Sequence, residues 1–217
     1  MVAASCTNAV ALTSDLILPP LLFLRRIYAN GNPPHQDRAP LEDARLTHML
    51  IRPAQPDDAL SVARMHVRAW QVGYCHLLAG DYLAQLDPQE RARRYDFANQ
   101  DMQRPKTLVV EEDGAIRGFA TTSPARDADT SDGGELCALY VDPDEWGRGF
   151  GTALLRAARL RLVEQGYRHA TLWLLAGNQR AERFYRADGW TPDGKGRTES
   201  IWGVNVNEIR YRRSLHA

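Results

Sequence analysis

The segment Leu139–Leu155, reading LYVDPDEWGRGFGTALL, constrains this chain more than any other. An apolar strand pattern reaches Asp142-Pro143. A turn punctuated by Gly147, Gly149 and Gly151 follows, and then an amphipathic helix pattern. Glycines let several backbone N–H groups converge on one anion, and the start of the helix adds the positive end of its dipole. The segment therefore reads as a pyrophosphate cradle, with an ordinary strand-to-helix turn as the plainer alternative. A Walker loop is excluded, because no lysine stands between the last glycine and Thr152. A dinucleotide fold needs G-x-G-x-x-G beside the first strand. Here the spacing is G-x-G-x-G, and the loop comes late in the chain.

A second segment, Thr171 to Trp190, reads TLWLLAGNQRAERFYRADGW. It predicts a buried strand over Thr171–Leu175, a turn, and a helix opening near Asn178 and stopping at Gly189. Together the two segments resemble the GNAT superfamily of acyl-coenzyme A-dependent N-acetyltransferases. The family's phosphate loop reads Gln/Arg-x-x-Gly-x-Gly/Ala, and this chain has Trp146-Gly147-Arg148-Gly149-Phe150-Gly151. Its later segment often reads Leu-Trp-Val-Leu-x-x-Asn-x-Arg-Ala-x-x-Phe-Tyr, matched here over Leu172 to Tyr185. Trp146 departs from the pattern, so a side-chain contact to phosphate is lost there while the backbone donors are unaffected. The resemblance covers Met49 to the C-terminus and implies an α/β fold, a mixed sheet with helices on both faces.

The resemblance also implies a site. The fourth and fifth strands splay apart, and the pantetheine arm of acetyl-CoA lies between them against the backbones of Leu139, Tyr140 and Val141. The pyrophosphate sits on Gly147, Arg148, Gly149, Phe150, Gly151 and Thr152. Asn178 matches the asparagine that bonds the pantetheine; its position equally suits a helix N-cap. Tyr185 matches the helix tyrosine that serves as general acid, with a core aromatic beside Phe184 as the alternative. Glu135 matches the glutamate some members use as base, against a solvated residue at a strand end.

The 217 residues carry 27 basic and 27 acidic side chains, so no net field favours nucleic acid. Cys6, Cys75 and Cys137 lack metal spacing, the pattern of a reducing, cytoplasmic compartment with no disulfide framework and no metal. Residues 1–48 differ from the rest. The apolar run Leu16–Leu24 is half a membrane span and holds two prolines, and its arginines follow it, the wrong order for a secretory signal. We expect a poorly ordered extension, or a start placed too far upstream, followed by an acetyltransferase domain over 49–217, with no membrane partner.

Periodicity from Met49 onward predicts strand Leu50–Arg52, a helix from Asp57 or Asp58, and a second helical region over Tyr82–Phe97. Strands Thr107–Glu111 and Ala115–Thr121 flank the hairpin signal Asp113-Gly114. A loop over Ser123–Gly134, strand Leu136–Val141 and helix Gly149–Gly166 follow. Terminal strands are expected around Trp190–Pro192 and Val206–Arg212. Strict alternation puts Glu135, Cys137, Leu139 and Val141 on one face unless a bulge intervenes.

Acetyl transfer to an amine requires three things: a deprotonated nucleophile, a stabilised oxyanion and a proton for the departing thiolate. The expected activity is direct transfer from acetyl-CoA to a primary amine, on a small molecule or on a peptide or protein. A coenzyme A-binding sensor or docking module without turnover is the other class. His66, Trp70 and Tyr74 recur on successive turns of the first helix and, with Trp202, are candidates for lining the acceptor site. As residues at helical spacing they equally suit a core. A homodimer is compatible with the sequence.

Overall fold

A computed structural model describes residues 49–215; the extension expected over residues 1–48 lies outside the described residues. The sheet runs in the order β1-β2-β3-β4-β5-β7-β6. Its strands are β1 Met49–Pro53, β2 Lys106–Glu112, β3 Ala115–Pro124, β4 Gly134–Val141, β5 His169–Leu175, β6 Thr191–Ile201 and β7 Val204–Ser214. All neighbours are antiparallel except β4 and β5. The helices are α1 Ala59–Gly73, α2 Gly80–Ala84, α3 Pro88–Ala92, α4 Phe150–Glu164 and α5 Gln179–Ala187.

The helix expected over Tyr82–Phe97 is two short ones. A proline ring excludes the preceding residue from the helical region. Asp87, before Pro88, is extended (φ −100°, ψ 118°) and accepts a hydrogen bond from the Gln89 amide at 2.8 Å. The chain therefore restarts as α3 instead of continuing. The terminal strands are also longer than expected, because they close on a two-residue turn, Trp202-Gly203, with φ of 53° and 86°. That is the hairpin geometry usually signalled by Asn-Gly. Asp113-Gly114 forms the expected counterpart between β2 and β3, at φ 52° and 74°. The loop expected over Ser123–Gly134 is shorter, since β3 runs to Pro124 and β4 opens at Gly134.

The sheet separates two apolar layers. A Cβ placed on Gly118 would lie 3.0 Å from Leu154 and 3.2 Å from Val141, so α4 covers the face that Val141 presents. Leu154, Ala158 and Leu162 form the expected i,i+4 row and are fully buried there. Burying each leucine side chain contributes about 1.5–3 kcal/mol. Tyr140 faces the other way, and the Trp70 indole of α1 donates to its hydroxyl at 2.9 Å.

A bulge breaks the alternation of β4. Thr121 pairs with Ala138 and Thr122 with Leu136, leaving Cys137 as the extra residue. Gly134, whose Cβ would meet Leu162 of α4 at 2.6 Å, shares a face with Val141 only because of it. Glu135 accordingly falls on the face of Ala138 and Tyr140, not with Leu139 and Val141 as strict alternation gave.

Candidate active site

Strands β4 and β5 pair only at Gly134–Ala170 and Glu135–Thr171. Both continue, to Val141 and Leu175, with their facing edges parted. Backbone groups in an antiparallel strand alternate between its two sides. The Asp142 amide donates to Arg117 on the β3 side at 2.8 Å, so Tyr140 also turns its backbone toward β3. Of the three backbones expected to meet the pantetheine arm, those of Leu139 and Val141 point into the gap. Tyr140 instead sends its side chain into the aromatic layer. The Val141 carbonyl accepts the Trp146 indole N–H at 3.0 Å. The guanidinium of Arg180, in the first turn of α5, stacks 3.6 Å from the Trp146 ring centre.

The turn before α4 has the expected form. Gly147 (φ 84°) and Gly149 (φ 92°) are left-handed, and an added Cβ would meet nothing within 4 Å at either. Backbone angle, not crowding, demands these glycines. The first bond of α4 runs from the Ala153 amide to the Gly149 carbonyl at 3.0 Å. The amides of Phe150, Gly151 and Thr152 precede it at the positive helix end. This donor set fits a pyrophosphate. Phe150 and Arg148 contribute backbone alone. The Phe150 ring is in the core, and the Arg148 guanidinium is turned onto Glu112 (2.9 and 3.0 Å) and Glu145.

Asn178 caps α5, its side-chain oxygen accepting from the Ala181 amide at 3.1 Å. Tyr185 is fully buried, edge-on to Phe184 (5.2 Å) and Trp190 (6.1 Å). Tyr74, the residue after α1, is also buried. Burial raises the Tyr74 phenol well above its ordinary range, with Tyr140, Tyr185 and Glu208 adding to the effect.

His66, Trp70 and Tyr74 are all buried, and the structure brings them together with Trp202. Trp202 stacks on Trp70 at 4.3 Å and tilts over His66 at 4.9 Å. The His66 Nδ1 lies 2.7 Å from the Tyr95 hydroxyl. Burial, and then the charge of Arg91, hold the imidazole well below its usual range and therefore neutral. Outside Trp202 a cavity of about 290 Å³ opens between the hairpin tip and α2–α3, with Tyr82, Glu90, Arg91 and Arg94 in its walls.

Two buried carboxylates, Glu135 and Glu208, stand on the Tyr140 side of the sheet. Glu135 is bonded through both oxygens to Arg126, at 2.7 and 3.3 Å. Glu208 of β7 was missed from sequence. It lies opposite Leu175, the last residue of β5, and opposite Arg197 of β6. Only strand register, not local pattern, could have placed it there. Among the described residues no cluster of His, Cys, Asp and Glu is arranged to hold a metal, and no helix is long and apolar enough to cross a membrane.

The profile of the acetyltransferase (GNAT) family matches residues 72–190. The chain belongs to this family. It is 28% identical over 160 residues to the uncharacterized N-acetyltransferase YuaI of Bacillus subtilis, covering 73% of this chain and 89% of that one. It is 30% identical over 144 residues to a mycothiol acetyltransferase of Acidimicrobium ferrooxidans, covering 66% of this chain but 43% of that protein. The fold matches the PaiA N-acetyltransferase of Thermoplasma acidophilum, solved with coenzyme A. The TM-score is 0.61 at 18% identity, covering 76% of this chain and 98% of that chain. The protein is thus a GNAT acetyltransferase with acetyl-CoA as donor. Its parted strands and glycine turn are the two features that the family resemblance implied.

Proposed function

We propose that this enzyme transfers acetyl from acetyl-CoA directly to a primary amine. A small-molecule amine is the first acceptor class and a peptide or protein amine the second. The observation that carries the reading is the parting of β4 from β5 beyond Glu135 and Thr171, with the Gly147–Thr152 turn following β4 and Tyr185 on the helix that follows β5. Bound there, acetyl-CoA supplies an activated thioester. The Leu139 and Val141 backbones hold the arm, and Val141 exchanges the Trp146 indole for it. The amides of the turn hold the pyrophosphate. Asn178, already the cap of α5, adds a contact through its amide group. Tyr185 donates a proton to the leaving sulfur. His66, Trp70, Tyr74 and Trp202 form the acceptor wall.

The acceptor face is acidic. Glu135 and Glu208 lie on it, and Asp127, Asp129 and Asp193 surround Arg210. That charge favours a cationic amine over a neutral nucleophile. Three widely separated cysteines without metal spacing support a reducing, cytoplasmic setting. The test is release of free thiol from acetyl-CoA across amino sugars, polyamines, amino acids and peptides. Turnover with at least one amine is expected. Stabilisation by acetyl-CoA without thiol release on any amine would instead favour a coenzyme A sensor.

A further inference from the structure

Beyond its charge, the buried carboxylate of Glu208 moves no proton in the acetyl transfer proposed above. Its side chain is wholly buried. One oxygen, Oε2, accepts from Arg197 Nε at 2.8 Å, and Arg197 Nη2 lies at 2.8 Å from the same atom. The other, Oε1, is buried with no hydrogen-bond partner among the described residues. Leaving a buried carboxylate oxygen unmatched is costly, and a donor arriving with the substrate would satisfy it.

Its place supplies that ligand. Glu208 stands across from Leu175, where β5 has already left β4. The charged and titratable groups around it are Arg197 and Glu199 of β6, Glu135 of β4 and Tyr74 after α1. Tyr185 acts electrostatically on the same Tyr74 phenol. Glu208 and the expected acid therefore both act on one phenol, beside the stretch where β5 has parted from β4. Glu135, by contrast, has both oxygens on Arg126.

Resting on the acetyl-transfer reading, we infer that Glu208 is the catalytic base: its Oε1 receives the acceptor ammonium and removes a proton from it. The step balances as follows. One ammonium proton passes to Oε1. The nitrogen lone pair forms the amide bond as the carbon–sulfur bond breaks. Sulfur takes the Tyr185 proton, and Tyr185 regains one from the acylated nitrogen. Glu208 then returns its proton to solvent. Burial, foremost, raises the Glu208 carboxyl, with Arg197 opposing and Glu199 and Glu135 adding, which suits a group that must accept a proton near neutrality.

The test follows kcat/KM with acetyl-CoA and the best amine of the panel, from about pH 6 to about pH 10, in the full chain. Glu208→Gln should lose about 10²–10³-fold at neutral pH. The loss should shrink as the pH approaches the amine's own pKa, where the nucleophile arrives deprotonated, and Glu208→Asp should restore part of the activity. Arg197→Gln removes the opposing charge and should move the acid limb of the profile to higher pH. The double variant Arg197→Gln, Glu208→Gln leaves no unpaired guanidinium and should show the same loss where the single variant fails to fold. Retention of the wild-type profile in Glu208→Gln, a loss independent of pH, or an unmoved acid limb in Arg197→Gln would overturn the assignment. Wild-type inactivity on every amine, with acetyl-CoA still bound, would instead overturn the reading beneath it.

Discussion

Gly149 offers the sharpest test of where the pyrophosphate lies, because its two substitutions separate strain from charge. At φ 92° any L side chain is strained, yet an added Cβ meets nothing within 4 Å. Gly149→Ala therefore suffers backbone strain alone, about 1–2 kcal/mol, or a Tm fall of about 2–8 °C for a chain of this size. Gly149→Asp carries comparable strain and adds a carboxylate at the mouth of the turn. A like charge at roughly 5 Å and an effective dielectric of about 20 repels by about 3 kcal/mol, which weakens binding by about 100-fold. Titrating coenzyme A by calorimetry against both variants isolates that electrostatic part. The reasoning fails if Gly149→Asp binds coenzyme A as tightly as Gly149→Ala, because the anion then sits elsewhere.

Three further outcomes follow from the same geometry. Tyr185→Phe should cut kcat by about tenfold or more while leaving coenzyme A affinity near wild type; an unchanged kcat removes Tyr185 from the chemistry. Trp202→Asn relieves a left-handed tryptophan but loses its stacking on Trp70 and His66. A net destabilisation of about 1–3 kcal/mol in urea is expected, and a gain in stability would contradict it. The Arg210 guanidinium holds the Asp129 carboxyl at about 2, below its ordinary 3.8. With the folded value depressed, that stabilisation is present above pH 3.8 and is lost as the pH falls toward 2. The wild-type Tm should drop over this window, and Asp129→Asn should flatten the drop; an equally steep fall in the variant would rule out this linkage.

Local chemistry made most of the fold legible. Asp113-Gly114 announces its hairpin, Gly147 and Gly149 their left-handed turns, and Leu154, Ala158 and Leu162 the buried row of α4. The failures have a common cause: a single residue outweighed a longer pattern. Pro88 broke a run whose Arg and Glu content favours helix. Trp202 occupies a turn position that bulky side chains avoid, because stacking on Trp70 offsets the strain. Cys137 is bulged, and nothing in an apolar strand of this kind announces the extra residue.

The candidate site divides along the same line. The backbone geometry of the proposed cradle was readable, because glycine spacing and a helix start dictate where amides point. The parts that act through side chains depend on the pairing of distant strands. Glu135 shares the face of Tyr140 only because Cys137 shifts the phase of β4. Glu208 reaches the cleft only because β7 inserts between β5 and β6, setting it opposite both Leu175 and Arg197. In the sequence Val-Asn-Glu-Ile-Arg it is one of several alternating polar residues, with nothing to separate it from a solvated neighbour. A shift of one residue in that register would exchange its buried face for the opposite one. The proposed coenzyme A cradle would survive such a shift while the carboxylate moved, so the proposed donor site and the proposed base rest on separable features of one sheet.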